Sequence, residues 1–392
     1  MDYTSISQFE AYYKENFSKL ISNIITITEI PSPSFDEDEK GDFVKSYFSS
    51  KTELTVTKDK YKNVIIRYRG KQNIAKLAIL AHIDTVFPKK TKLKVQEKKD
   101  EHNEPVLIGP SVGDNSASVA GLMQIIDSWC EINFIPPFDV IFVANACEEG
   151  LGDLKGVKGF IDEYCANNNV DLKVLLSLDG TMDRVTHIGT GVKRYKIDVN
   201  TKGGHSWGNF GEYSAIHIIG QIIADISHIS VPETPKTTYN VGIVEGGTSV
   251  NTIASEASIL IDLRSVSDKE LEKLDKNILN IVNEHTSHKH QVNVSITVVG
   301  NRPSGRIPHD HELVEIVKKS AKIIELDAPS SGIASTDANI PLSRNIPAVA
   351  FGCYYGTGAH TKSETIYVNS LIKGIPYANL VIIKTMEWIT LV

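Results

Sequence analysis

A histidine and an aspartate stand two positions apart at the end of an apolar run, Leu77-Ala-Ile-Leu-Ala-His-Ile-Asp84. In an extended segment, side chains two apart project to the same side. Asp84 can then accept one ring N–H of His82 and leave the other ring nitrogen free to meet a cation. Three more apolar runs end in similar chemistry. Asp139-Val-Ile-Phe-Val-Ala-Asn-Ala-Cys147 leads into Glu148-Glu149, Lys173-Val-Leu-Leu-Ser-Leu178 leads into Asp179, and Ala348-Val-Ala-Phe-Gly352 is followed shortly by His360. Asp114 lies in Gly109-Pro-Ser-Val-Gly-Asp-Asn-Ser116, where glycine and proline impose a turn before a helical segment, so its two oxygens can bridge two ions. Neutral imidazole and carboxylate together are a ligand set for zinc and related divalent ions. Two adjacent glutamates beside a buried strand repel each other unless a cation offsets their charge. Neighbours on a strand point to opposite sides, which divides their labour into one ligand and one base aimed at a water.

The elements that must position these groups are strands buried on both faces, because runs of Val, Ile and Leu of this length lack polar alternation. In open α/β sheets ligands bind beyond the carboxyl ends of such strands. Helical periodicity covers Ser7 to Ile27, closed by Pro31 and Pro33, and Glu53 to Arg69 alternates as strands. Apolar residues at helical spacing fill Ser116–Trp129, a helix follows from Glu312, and a last helix runs from Asn369 to Trp388. This alternation predicts an α/β domain with a mostly parallel sheet and helices on both faces. From Gly189 the order becomes strand, helix, strand, strand, helix, strand, ending with Val292–Val299. That βαββαβ order is ferredoxin-like and forms a self-contained α+β unit. The expected division is therefore a discontinuous catalytic domain, 1–188 and 302–392, interrupted by an inserted lid or dimerisation domain, 189–301.

The ordered set His82-x-Asp84, Asp114, Glu148-Glu149, Asp179 and His360 resembles the metallopeptidase family of peptidase T, the aminoacylases and the glutamate carboxypeptidases (M20-type) over nearly the whole chain. Thr201-Lys-Gly-Gly-His-Ser-Trp207 and Ser335-Thr-Asp-Ala-Asn339 bring it nearest to the peptidase T-like branch. The resemblance implies two Zn2+, with Co2+ or Mn2+ as substitutes. His82 and Asp179 would hold one ion and Glu149 and His360 the other, with Asp114 bridging. Asp84 would orient His82, and Glu148 would be the general base on the water shared by the ions. Two ions about 3.5–4 Å apart acidify such a water and polarise an amide carbonyl, and one carboxylate can take the water's proton and return it to the leaving amine. By the same resemblance, Asp at position 179 points to aminopeptidase and dipeptidase members rather than carboxypeptidases. His205, in Gly203-Gly-His-Ser206, would stabilise the oxyanion, supplied across a homodimer formed through the inserted domain. Asn251 would contact substrate, and Arg264 would grip a substrate carboxylate, a task its bidentate fork suits.

The expected activity is zinc-dependent hydrolysis of short peptides, as a tripeptide or dipeptide aminopeptidase. An N-acyl amino acid deacylase with the same centre is the alternative within enzymes, and a non-catalytic zinc- or peptide-binding relative the alternative outside them. At 392 residues two domains are expected, and 41% hydrophobic with 23% charged residues is ordinary for a globular chain. A net charge of −7 without a basic stripe disfavours nucleic acid, and the lysines between Lys89 and Lys99 read as a solvated hairpin or loop. No basic-then-apolar leader and no run approaching a membrane span is present, and the four cysteines show no paired spacing. A reducing cytoplasm is the expectation.

Other clusters carry bland readings. His285, His288 and His290 follow a charged helix in a polar connector, and Asp310, between His309 and His311, caps the helix that follows. Gly150–Gly156 lacks the spacing of a phosphate loop and clears space behind Glu149. Asp337 and Asn339 support the site rather than ligate. No nucleophile elbow occurs, and Cys147 has no histidine partner.

Overall fold

The computed structural model describes residues 3–287 and 291–391. The chain folds as two compact units, one running to Gly189 and resuming at Arg306, the other Thr190–Gly305. The second junction falls four residues beyond the expected 301: the last strand of the inserted unit runs Asn293–Arg302, and the Ser304 N–H then donates to Asp268 Oδ1 of the same unit at 3.3 Å.

The larger unit is built on a sheet whose centre is four parallel strands. In spatial order these are Asp139–Asn145, Ala75–His82, Val170–Leu178 and Ala348–Phe351. Antiparallel strands Val64–Tyr68 and Leu54–Lys58 extend one side, and Arg184–Gly189 the other. Every residue of Asp139–Asn145 and nearly every residue of Ala75–His82 is buried, as expected where helices cover both faces. The helix Ser118–Glu131 buries twelve consecutive residues, Ser118 to Trp129, so it is enclosed all round rather than amphipathic. Trp129 anchors it, donating its ring N–H to Asn379 Oδ1 at 2.8 Å within a cage of Tyr68, Phe134 and Phe142. Among the described residues no helix is long and apolar enough to cross a membrane.

Three local expectations need correction. The N-terminal helix is two helices, Tyr3–Glu15 and Phe17–Glu29, separated by Asn16 at φ −101° and ψ 15°. The helix Glu312–Ile323 is capped by His311, whose Nδ1 accepts the Leu313 N–H at 3.1 Å, and not by Asp310. A four-stranded sheet from Gln96–Lys99, Pro105–Ile108, Thr365–Tyr367 and Gly356–Thr357 had no counterpart in the expected elements. The lysine-rich segment forms its exposed edge, and the Gly356–Tyr367 hairpin carries His360 near its tip.

The smaller unit is the four-stranded antiparallel sheet Thr237–Gly246, Glu256–Ser265, Gly191–Asn200, Asn293–Arg302, in that spatial order. Helices Ala215–Ser227 and Asp268–Thr286 pack on one face. Alternate strand residues (Tyr195, Ile197, Val199, Ile259, Ile261, Leu263) meet Ile218, Ile222, Leu274 and Ile278 in a core of its own. This is the ferredoxin-like arrangement. His285 lies within the last turn of the second helix rather than in the connector expected after it, with Nε2 2.5 Å from Asp225 Oδ2, and His288 and His290 lie outside the described residues.

Candidate metal centre

The parallel register aligns the carboxyl ends of the central strands, and each end delivers a polar group. His82 closes its own strand and Asn145 pairs beside it. The Asp179 N–H donates to Phe351 O at 3.0 Å, tying the neighbouring ends together. Asn115 Nδ2 donates to Leu178 O at 2.9 Å, which brings the Asp114 turn onto the same edge.

His82, 2% exposed, places Nδ1 3.1 Å from Asp84 O and 3.5 Å from Asp84 Oδ1, while Nε2 stands 3.0 Å from Asp114 Oδ1. A proton on Nδ1 shared with Asp84 leaves the Nε2 lone pair facing Asp114, which is the orientation a metal ligand needs. His360 Nε2 stands 3.0 Å from both Asp114 Oδ2 and Glu149 Oε1. Asp114 thus offers one oxygen to each imidazole. One ligand atom from each of His82, Asp114 and Glu149 can be chosen with all three within 4.8 Å of one another. Asp114 Oδ1 is buried without a hydrogen bond of acceptable geometry despite the nearby imidazole, as expected of an oxygen aimed at a cation.

Electrostatics point the same way. Burial would lower His82, but Asp114 and Asp84 raise it well above an ordinary imidazole. Contact with Asp114 and Glu149 lifts His360 to about 11. Burial and the carboxylates of Asp114, Asp337 and Glu149 push Asp179 up to about 7 against the pull of His82. A buried carboxylate crowded by others, with imidazoles between them, is a donor set that a divalent cation satisfies. The residues fit a metal.

Asp84 does more than face His82. Its Oδ1 accepts the Glu148 N–H and its Oδ2 the Glu149 N–H, each at 2.9 Å, and Ser34 Oγ donates to Oδ2 at 2.6 Å. Burial raises its pKa, yet His82, Ser34 and the backbone donors hold it below the usual range. The two glutamates follow Cys147 at φ +57° and so lie on a turn, not on the strand itself as their spacing suggested. Cys147 faces buried Glu37, and burial pushes its thiol up to about 12, which is unsuited to nucleophilic work. Asp337 accepts from Asn145 Nδ2 at 2.7 Å and Asn339 from the Thr336 N–H at 3.0 Å, both supporting contacts.

Sequence reasoning missed Ser34 and Glu364. Glu364, 2% exposed, accepts the Asp114 N–H at 2.7 Å. A Cβ at Gly113 would lie 2.6 Å from Glu364 Oε1 and 2.8 Å from the Tyr354 hydroxyl, so only glycine lets the turn approach so closely. The signal available was its place four residues after His360 on the same hairpin. His82, Asp114, Glu148, Glu149, Asp179 and His360 line a cleft of about 340 Å³, which also takes in Arg184, Thr186, Ser335 and Thr336.

The remaining candidates belong to the smaller unit. His205 Nδ1 accepts the Trp207 and Gly208 N–H groups at 3.2 and 3.3 Å, which puts the ring proton on Nε2. Asn251 is beside it, its carbonyl accepting the Ser206 N–H at 3.0 Å. Arg264 is not with them. It lies near the opposite end of its strand, eight residues or about 26 Å from Glu256, with Nε donating to Asp262 Oδ2 at 2.6 Å.

The model of Peptidase family M20/M25/M40 matches residues 78–384. A protein of Arthroderma gypseum described as a probable carboxypeptidase is 25% identical, the match covering 94% of this chain and 85% of that one. Among solved structures, a tripeptidase of Staphylococcus aureus superposes with a TM-score of 0.77 at 20% identity, covering 95% of this chain and 99% of the other. A dinuclear metal-binding M20 peptidase of Bacillus subtilis gives 0.66 at 16% identity, covering 95% and 99%. At these identities the superpositions speak to the fold, which is that of the M20 peptidases.

Proposed function

From the premise that the chain belongs to peptidase family M20/M25/M40, we propose that it is a dinuclear zinc aminopeptidase of tripeptides and dipeptides. The observation that carries the reading is Asp114 with one oxygen 3.0 Å from each of two imidazoles, beside the clamped Glu148-Glu149 turn. His82 and Asp179 would hold one ion, Glu149 and His360 the other, and Asp114 both. Bound there, the ions would supply Lewis acidity, polarising the scissile carbonyl and acidifying water. Glu148, 5% exposed, takes the proton of the attacking water on its carboxylate and returns it to the leaving amine nitrogen. Asp84 holds the backbone of that turn and the proton of His82. His205 offers its Nε2–H to the developing oxyanion from a partner subunit, in a homodimer built on the smaller unit, and Asn251 contacts the same substrate.

The size of the cleft supports short substrates, since about 340 Å³ is at the low end of the roughly 300–1,000 Å³ of small-molecule sites. The free cysteines and the absence among the described residues of a helix able to cross a membrane support a cytoplasmic enzyme. Aspartate at position 179 favours release from the amino end, whereas the fungal relative's name favours the carboxyl end. A tripeptide with three different residues decides between them. Mass analysis should find the free N-terminal residue and the C-terminal dipeptide. Appearance of the N-terminal dipeptide with the free C-terminal residue, or cleavage of N-acyl amino acids alone, would overturn the aminopeptidase reading.

A further inference from the structure

Arg184 is the cation of the cleft, and neither metal binding nor proton transfer uses it. It opens the strand Arg184–Gly189, five residues after Asp179, and lines the same cavity as His82, Glu148 and His360. Among the described residues no hydrogen bond or ion pair engages its guanidinium. The acidic residue next to it, Asp183, is instead occupied by the Thr181 hydroxyl at 2.5 Å. The side chain is exposed, but its stem lies against bare backbone. Arg184 and Thr186 pair in parallel register with Ser330 and Gly332, and the stem crosses Gly332, where a Cβ would lie 2.7 Å from Arg184 Cγ and Cδ and 2.9 Å from Thr186 Oγ1. The bare backbone at position 332 makes the track along which the side chain enters the cleft.

We propose that Arg184 receives a carboxylate of the substrate and so selects short peptides that present one there. The proposal rests on the dinuclear peptidase reading. Four carboxylates line the cleft (Asp114, Glu148, Glu149 and Asp179), and two divalent cations balance them, so Arg184 leaves a net positive charge to draw in an anion. A planar guanidinium matches a carboxylate with two parallel hydrogen bonds, which a lysine cannot reproduce. Arg264 differs in that its Nε is already committed to Asp262. The carboxylate can be the C-terminal group or an acidic side chain, and both present the same chemistry.

The experiment compares kcat/KM of the metal-loaded enzyme on Ala-Ala-Ala as free acid and as amide, and on Ala-Glu-Ala amide against Ala-Gln-Ala amide. Wild type should prefer the charged member of one pair by about tenfold to a hundredfold, the range for a hydrogen bond to a charged group, and mainly through KM. In Arg184→Gln that preference should fall towards one, and Arg184→Lys should keep part of it. Gly332→Ala, which leaves Arg184 in place but crowds its stem, should lower the same preference. Whichever pair collapses identifies the carboxylate. If Arg184→Gln keeps the wild-type preference in both pairs, or wild type shows none, the proposal is overturned. If wild type cleaves no peptide but hydrolyses N-acyl amino acids, the peptidase reading falls by itself. The same acid-to-amide comparison on those substrates then decides for or against Arg184.

Discussion

Replacing Glu364 tests whether Asp114, the carboxylate proposed to bridge the ions, depends on its backbone support. Its Oε1 accepts the Asp114 N–H at 2.7 Å inside a nearly closed pocket, and the Ser111 and Gly113 N–H groups also face it. Glu364→Ala leaves a buried N–H without an acceptor, which costs about 1–3 kcal/mol. Where that cost is borne by the metal-loaded arrangement, zinc binding weakens about 5- to 150-fold. Glu364→Gln keeps an oxygen acceptor and should lose far less. Competition with a chromogenic zinc chelator measures the affinity, and a thermal melt of the metal-free protein reports folding separately. A second signature follows from its acidity. Burial, reinforced by Asp114, raises the Glu364 carboxyl from 4.5 to about 8. A raised folded-state pKa contributes stability that is complete below 4.5 and lost as pH rises through 8. The metal-free wild type should therefore weaken across that window relative to Glu364→Gln, which cannot ionise. Wild-type zinc affinity in Glu364→Ala, together with parallel pH–stability curves for wild type and Glu364→Gln, would refute the reasoning.

Other perturbations probe the rest of the centre. Glu148→Gln should retain bound metal by elemental analysis while losing most turnover, and normal turnover would remove Glu148 as the base. The raised imidazoles and Asp179 must give up protons when a cation binds, so loading should release protons and apparent affinity should climb with pH; calorimetry in two buffers of different ionisation enthalpy that finds no release would contradict the ligand set. Lys40 is buried, and desolvation lowers its amine from 10.5 to about 8 against the pull of Asp84. Its cost is full below 8 and relieved as pH rises towards 10.5, so Lys40→Met should gain up to about 3 kcal/mol at pH 7 and lose that advantage by pH 10.5, as followed by denaturant melts. His205→Ala should lower kcat by about a hundredfold or more, and recovery on mixing it with Glu148→Gln protein would show that sites are completed across a dimer.

The convergence of the candidate ligands on one sheet edge was legible in the sequence because they terminate or follow apolar runs. A parallel sheet aligns such ends without further information. The inserted unit was legible for a similar reason, its periodicity changing from all-buried strands to alternating ones near Gly189. What escaped depends on contacts between distant segments. The track under Arg184 is formed by Gly332, and nothing local to either residue announces the other. Glu364 reads as one more carboxylate in a polar loop until the hairpin folds it under Asp114. The break at Asn16 interrupts an apolar periodicity that passes through it almost unchanged. At His311 an imidazole took the capping role that composition assigns to the neighbouring aspartate.

The clamp at Asp84 has a practical consequence. It grips the main chain of positions 148 and 149 rather than their side chains, so chemistry at those positions can be altered while the loop keeps its shape. A Glu148→Gln enzyme should therefore serve as bait, retaining natural peptides long enough for recovery from a cell extract and for their sequences to be read directly.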